Sequence, residues 1–298
     1  MTERAGGGMR TIHNGTVKLN VREAGDARGT PTLFIHGLNT NLAFWHEDLL
    51  TRLAGGRRLL LFDQRGHGYS DLAPSGYTSA SLASDALAVL DAHGVETADV
   101  VAHSFGTTVA LQLARLEPRR VRSLVLLDGR TRLFQADLKL GEWVQFEKWR
   151  RHFTAAGIDL SPDLDLDFTL PLRLHGCDLS KVIPGLREDG FFVPSTGTRA
   201  AEKYRRLLTE TTAPDDFRNL AGLDHAALQS VRQPALLVYG SQSPFLPTRD
   251  GLARVLPDCR SEVIDGGGHN FPFLRPQETA AVIRTFWSAG IATREVTL

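Results

Sequence analysis

The sequence predicts an α/β fold, a mostly parallel sheet flanked by helices with a helical segment inserted into it, and three observations predict it. Short apolar runs at residues 32–35, 59–62 and 235–239, with a further strand at 121–127, have the composition of strands buried on both faces, as parallel strands are. Between them the apolar residues return at helical spacing, so that strand, helix and strand form right-handed crossovers. From Arg130 to Arg232 the alternation stops and only helical spacing is left, which marks the insertion.

A chain of 298 residues with 42% apolar content has room for one large α/β domain or two ordinary ones. Its 34 basic and 34 acidic side chains cancel, leaving no long-range field to draw nucleic acid or an anionic membrane surface. The expected partner is a small molecule. Cys177 and Cys259, far apart in the chain, are read as buried, reduced thiols. The first ten residues lack an apolar core segment and no run approaches a membrane span, which fits a soluble, cytoplasmic protein. There is no metal-spaced cluster of His, Cys or carboxylate and no glycine-rich phosphate cradle, so neither metal nor cofactor is implied.

In chain order, residues 1–9 read as a frayed leader. Residues 11–13 and 17–24 flank an Asn14-Gly15 turn and form an antiparallel start. The run 32–35 releases into a loop at His36-Gly37, and function concentrates at such strand ends. A helix over 44–54, carrying Phe44, Leu49, Leu50 and Leu53, leads to the strand 59–62. The polar turn of residues 63–71 reads as structural, with Asp63 and Arg65 paired locally and His67 facing solvent. A helix over 79–93 begins among serines and ends at Gly94. Val100 and Val101 close the next strand, the helix 107–116 is broken by Pro118, and the strand 121–127 ends in Asp128-Gly129. Within the insertion, the stripe Trp143, Phe146, Trp149 and Phe153 is read as core rather than substrate contact, and residues 199–208 as a further helix. After 235–239 come a helix over 248–255, a strand over 261–264, the tight turn Gly266-Gly267-Gly268-His269, a helix over 276–287 and a peripheral tail after Gly290.

Ser104 stands at a strand-to-helix junction in D-V-V-A-H-S-F-G. Ala102 and Gly106, two residues to either side, are small enough for a sharp turn that lifts the hydroxyl clear. The N–H of Phe105 then opens a helix, where negative charge is stabilised. This stretch resembles the nucleophile elbow of the α/β-hydrolase superfamily, whose usual form is G-x-S-x-G; here A-H-S-F-G departs by one methyl at Ala102. Residues 63–70, D-Q-R-G-H-G-Y-S, are likewise similar to a D-x-R-G-x-G-x-S segment of that superfamily. The resemblance covers nearly the whole chain. It implies an α/β-hydrolase fold with residues 1–129 and 233–298 as the core domain and 130–232 as a helical lid.

A free serine hydroxyl is a poor nucleophile near neutral pH and needs a base, itself oriented by an acid. The family order of nucleophile, acid and histidine puts the base at His269, while His103 adjoins the elbow too closely to reach its neighbour's hydroxyl. Most relatives carry the acid after the strand that follows the lid, but Ser243 occupies that place here. Some carry it after the preceding strand, where Asp128 stands. The expected set is therefore Ser104, Asp128 and His269, with Asp265 as second candidate for the acid and a cap or an ion pair with Arg130 as the bland role of Asp128. The resemblance places the oxyanion donors at the backbone N–H groups of Leu38 and Phe105. The expected pocket wall is His36, Asn39, Trp45, Trp143, Phe146 and Phe271, which suits an apolar or ring-containing substrate.

These residues imply a serine hydrolase that cleaves a carboxylic ester, lactone or thioester through an acyl-enzyme. Two other readings stay open, because one fold hosts many reactions. One is carbon–carbon bond hydrolysis or cofactor-free oxygenation on the same His–Asp pair. The other is a non-catalytic ligand-binding member of the fold, suggested by the missing carboxylate at Ser243.

Overall fold

A computed structural model describes residues 8–136, 138–188 and 198–289; most of the expected leader and the tail from Gly290 lie outside them. Met9 already belongs to β1 (Met9–Asn14), which pairs antiparallel with β2 (Val17–Gly25) around the Asn14-Gly15 turn. The parallel strands are β3 (Thr30–Ile35), β4 (Arg57–Phe62), β5 (Ala98–His103), β6 (Val121–Leu127), β7 (Ala235–Gly240) and β8 (Cys259–Ile264). Among the described residues, these eight strands make one sheet in the order β1-β2-β4-β3-β5-β6-β7-β8, with β2 antiparallel to β4 and every later pair parallel. The chain runs outward to β4 and back past β3 to β5, so the winding reverses between β3 and β5. Their C-terminal ends form the crevice where open α/β sheets bind ligands.

Residues 33–35, 59–62, 100–102, 124–127 and 235–239 of the central strands are apolar at every position because both sheet faces are covered there, and alternate side chains serve alternate layers. Leu33, Ile35, Leu60, Phe62, Val100, Leu124 and Leu126 face α2 (Ser79–Ala92) and α3 (Phe105–Leu116). Phe34, Leu59, Leu61, Val101, Val125 and Leu127 face α1 (Glu47–Leu53) and the C-terminal helix. The helix expected over 44–54 is split: Asn41 caps a 3₁₀ turn at Leu42–Phe44, and His46 starts α1 anew by accepting from the N–H of Asp48.

Between β6 and β7 run α4 (Phe146–Ala155), α5 (Thr169–Leu174), α6 (Ile183–Glu188), α7 (Arg199–Glu210), α8 (Ala213–Arg218) and α9 (His225–Gln229). An isolated antiparallel bridge joins Lys139 to Asp165. The sheet pattern resumes with β7, α10 (Leu246–Val255), β8, the short α11 (Phe271–Leu274) and α12 (Pro276–Ser288).

The turn after β4 departs from its sequence reading. Asp63 is satisfied by Asn20 Nδ2, the N–H of Leu42 and the N–H of Tyr69, at 2.8 Å each, and Arg65 turns instead to Asp85 of α2 at 2.6 and 2.7 Å. His67 is only 4% exposed, its ring between His36 and Tyr204, and burial drives its pKa down to about 3. Cys177 and Cys259 are free thiols, each half-buried rather than buried. Among the described residues, no helix is long and apolar enough to cross a membrane.

Candidate active site

Ser104 sits where β5 turns into α3, with φ +55° and ψ −125°. Such a conformation costs an L-residue roughly 1–3 kcal/mol and persists only where its surroundings enforce it. Here the neighbours do so. The Ser104 N–H donates to Leu127 O at 3.0 Å, and a Cβ on Gly106 would stand 2.4 Å from Ile35 O. The loop after β3 presses equally close, since a Cβ on Gly37 would come within 2.8 Å of Ser104 Cβ. Ala102 is fully buried in the strand, so the extra methyl fits.

Two backbone donors lie beside the serine. Among the described residues, neither the N–H of Leu38 nor that of Phe105 meets a protein acceptor, and both residues line a cavity with Ser104. His36 holds the Leu38 loop in place rather than lining the pocket. Its Nε2 accepts from the N–H of Gln64 at 3.0 Å, its Nδ1 donates to Gly37 O at 2.7 Å, and Gln64 Nε2 donates to His36 O at 2.6 Å. Burial lowers its pKa, so this neutral brace ties the ends of β3 and β4 together.

Asp128, at the end of β6, is 0% exposed and takes φ +47°. Its Oδ1 accepts from the N–H of Gly240 at 3.0 Å, and its Oδ2 accepts from Ser243 Oγ at 2.6 Å and from His269 Nδ1 at 2.7 Å. Ser243 thus donates a hydroxyl to Asp128. Asp265 is exposed and engages Ser241 at 3.3 Å, and Arg130 pairs with Asp167 rather than with Asp128.

The His269 ring lies edge-on to Phe245, with centroids 4.7 Å apart, and is stacked on His103, also at 4.7 Å. His103 Nε2 donates to His269 O at 2.9 Å, and the far face of the His103 ring stacks on Phe44 at 4.3 Å. Burial, reinforced by the nearby His269, holds His103 well below the ordinary histidine pKa, so it is a neutral brace. Sequence reasoning passed over this residue, because nothing in the chain signals that strand position 103 meets the loop of 269. Ser104 and His269 line one cavity, with no hydrogen bond between them.

That cavity, of about 770 Å³, is walled in part by Asn39, Trp143, Trp149, Phe153 and Phe271. Two further expected wall residues lie elsewhere. Trp45 packs edge-on against Phe34 in the α1 and α12 layer, and Phe146 packs inside the insertion's own cluster. The stripe expected to be core also gives Trp143, Trp149 and Phe153 to the cavity. A second cavity, of about 40 Å³, is also lined by Ser104.

The model of the α/β hydrolase fold matches residues 30–276. The chain belongs to the α/β-hydrolase family. It is 38% identical to the rhodomycin D methylesterase DnrP of Streptomyces peucetius, over 92% of this chain and 96% of that one. It is 28% identical to a 2-(acetamidomethylene)succinate hydrolase of Mesorhizobium japonicum, over 94% and 95%. Among solved structures, Est816, described as an N-acyl homoserine lactone degrading enzyme, superposes with a TM-score of 0.63 at 24% identity, over 93% of this chain and all of that one. This α/β-hydrolase is a hydrolytic enzyme, and the last likeness speaks to its fold alone.

Proposed function

We propose that this α/β-hydrolase cleaves a carboxylic ester, lactone or thioester through an acyl-enzyme on Ser104. The observation that carries the reading is the Asp128 carboxylate holding His269 Nδ1 at 2.7 Å beside a serine in a strained turn. With Nδ1–H committed to Asp128, Nε2 is the basic nitrogen. It takes the Ser104 proton as Oγ adds to the substrate carbonyl, and Asp128 stabilises the imidazolium that forms. The unclaimed N–H groups of Leu38 and Phe105 receive the oxyanion, an interaction worth about 3 kcal/mol per donor in comparable sites. Collapse of the tetrahedral adduct transfers the imidazolium proton to the leaving group. Water, deprotonated by His269, then releases the acid and restores Ser104.

His103 acts as a positioning residue, fixing the histidine loop while bringing no second positive charge to the imidazolium. Residues 130–232 act as a lid, and the larger cavity takes an apolar or ring-containing part of a small substrate. Relatives named as a methylesterase and as an amide-bearing succinate hydrolase support small-molecule acyl transfer.

The test is labelling of Ser104 by a fluorophosphonate together with turnover of p-nitrophenyl esters. Asp128→Asn is expected to lower turnover about 10⁴-fold with the unfolding midpoint preserved, through loss of the correct histidine tautomer. Ester turnover retained in Ser104→Ala would transfer the chemistry to the His–Asp pair and end the acyl-enzyme reading.

A further inference from the structure

We propose that Asp167 and Thr131 form a polar subsite beside Ser104 that takes a hydroxyl carried on a short arm of the substrate. The proposal rests on Ser104 being the nucleophile and adds the chemical class of one substrate arm. Its starting point is the junction of the two cavities: Leu38, Ser104, Asp167 and Phe245 line both. The larger cavity is walled by the aromatic side chains of the insertion. The smaller, at about 40 Å³, has room for only a few water-sized groups, and besides Ser104 its polar lining residues are Thr108, Arg130, Thr131, Arg132, Asp167 and Asn219. A substrate held at Ser104 therefore meets a large cavity that admits a bulky part and a small one that admits a short polar part.

Two oxygen atoms of the residues that line the smaller cavity accept or donate no hydrogen bond among the described residues. Thr131 is 1% exposed, and its Oγ1 is buried with no hydrogen bond among the described residues. Leaving a buried hydroxyl unmet costs about 1–3 kcal/mol, which a ligand recovers. Asp167 is the only carboxylate among the described residues that line either cavity. Its Oδ2 receives both Arg130 Nη1 and Arg132 Nη2, the latter at 3.4 Å, whereas its Oδ1 accepts no bond within the described residues. The side chain keeps 21% of its surface open.

The chemistry of the ligand follows from what is already satisfied. Arg130 spends Nε on Gln135 O and Nη2 on Ala136 O, both at 3.2 Å, and Nη1 on Asp167. It is a clamp on the carboxylate rather than a receptor for an anion. With two guanidinium groups already on Oδ2, an ammonium arm would add a third cation to the same carboxylate. A hydroxyl suits the pair, because it donates to Asp167 Oδ1 and accepts from Thr131 Oγ1. Burial also raises the Asp167 pKa, against the pull of Arg130.

The experiment compares kcat/KM for p-nitrophenyl butyrate, its 3-hydroxy analogue and p-nitrophenyl hemisuccinate, and for propyl butyrate against 2-hydroxyethyl butyrate, which puts the arm on the leaving group. The expected result is a preference of about tenfold or more for the hydroxylated member of at least one pair, worth about 1.4 kcal/mol, and its reduction to under about threefold in both Thr131→Val and Asp167→Asn. Thermal midpoints report whether each variant is folded; Thr131→Val, nearly isosteric, keeps the test decisive should Asp167→Asn unfold. Equal turnover within both pairs, a preference that survives Thr131→Val, or a preference for hemisuccinate over both acyl partners would overturn the subsite. If Ser104 is labelled and butyrate is hydrolysed in those cases, the acyl-enzyme reading stands while the subsite falls. If Ser104 is neither labelled nor active on any ester, both fall.

Discussion

Residues 138–186 and residues 198–231 both belong to the excursion between β6 and β7, yet they bury their apolar faces in different places. In the first stretch Leu140, Trp149, Phe153, Leu160, Leu174 and Leu186 pack on one another. In the second, Tyr204, Leu207, Phe217, Leu223 and Leu228 join the layer that covers the sheet over α2 and α3. Polar ties join the two stretches, with Tyr204 Oη donating to Asp167 O at 3.1 Å and His175 paired with Glu202 at 3.0 Å, and they also bind the second stretch to the sheet domain. Lys203 Nζ donates to the carbonyls of His67, Gly68 and Ser70, Thr212 N donates to Pro74 O, and the N–H of Tyr77 donates to Asp216, so α7 and α8 are laced to the loop after β4. The first stretch is entered through a narrow waist, where Leu140 N meets Leu164 O at 2.9 Å and Leu166 N meets Leu138 O at 3.1 Å. The difference teaches that an insertion need not pack as one body: α7 to α9 share the layer that covers the sheet, whereas the segment from α4 to α6 has a core of its own, with Leu138 and Phe168 reaching across to the sheet-side layer.

Leu207→Ala should break the comparison most severely if that layer is truly core, lowering global stability by about 2–5 kcal/mol in denaturant unfolding. A loss below about 1 kcal/mol would group α7 with the segment from α4 to α6.

Acid should attack the same seam. The folded His67 pKa of about 3 lies below the unfolded value near 6.5, so between those values the unfolded chain binds the extra proton. The contribution of His67 is complete above pH 6.5 and lost as pH falls toward 3, at roughly 1.4 kcal/mol per pH unit. In His67→Phe, the fall in stability between pH 7 and 4.5 should shrink by roughly 2–3 kcal/mol, with His36 and His103 accounting for acid sensitivity that remains. An unchanged acid slope would mean that His67 is solvated.

Lys203→Met removes a cation from three carbonyls and should cost about 1–3 kcal/mol, read as a lower thermal midpoint. Leu160→Ala should be the mildest globally, moving the midpoint by under about 1 kcal/mol while amide exchange within residues 139–186 speeds severalfold. Equal losses for Leu160→Ala and Leu207→Ala would erase the distinction between the halves.

The sheet is legible in the sequence because double-sided burial leaves short apolar runs, and the pairing of Asp128 with His269 is legible through the resemblance, which puts an acid after the strand 121–127 and a histidine after the last strand. What escapes is whatever depends on a covering element distant in the chain. His67 sits in a glycine-rich polar turn that reads as exposed, but its ring lies against His36 and against Tyr204, which comes over 130 residues later. Arg65 stands two residues from Asp63, but three neutral donors have already filled that carboxylate and Asp85 comes up from α2. Trp45 and Phe146 are aromatic and near the right strand ends or helices; which way each ring turns is decided by neighbours such as Phe34 that spacing does not reveal. Asp167 carries no motif, because its significance comes from Arg130 and from the convergence of two cavities.

The meeting of Ser243 and His269 on a single oxygen of Asp128 means that the tips of β6 and β7 reach the same spot. To the imidazole, negative charge is a location and not an address in the chain. Neighbouring strand tips can therefore exchange custody of the acid, in a lineage or by a bench graft, without the ring having to move.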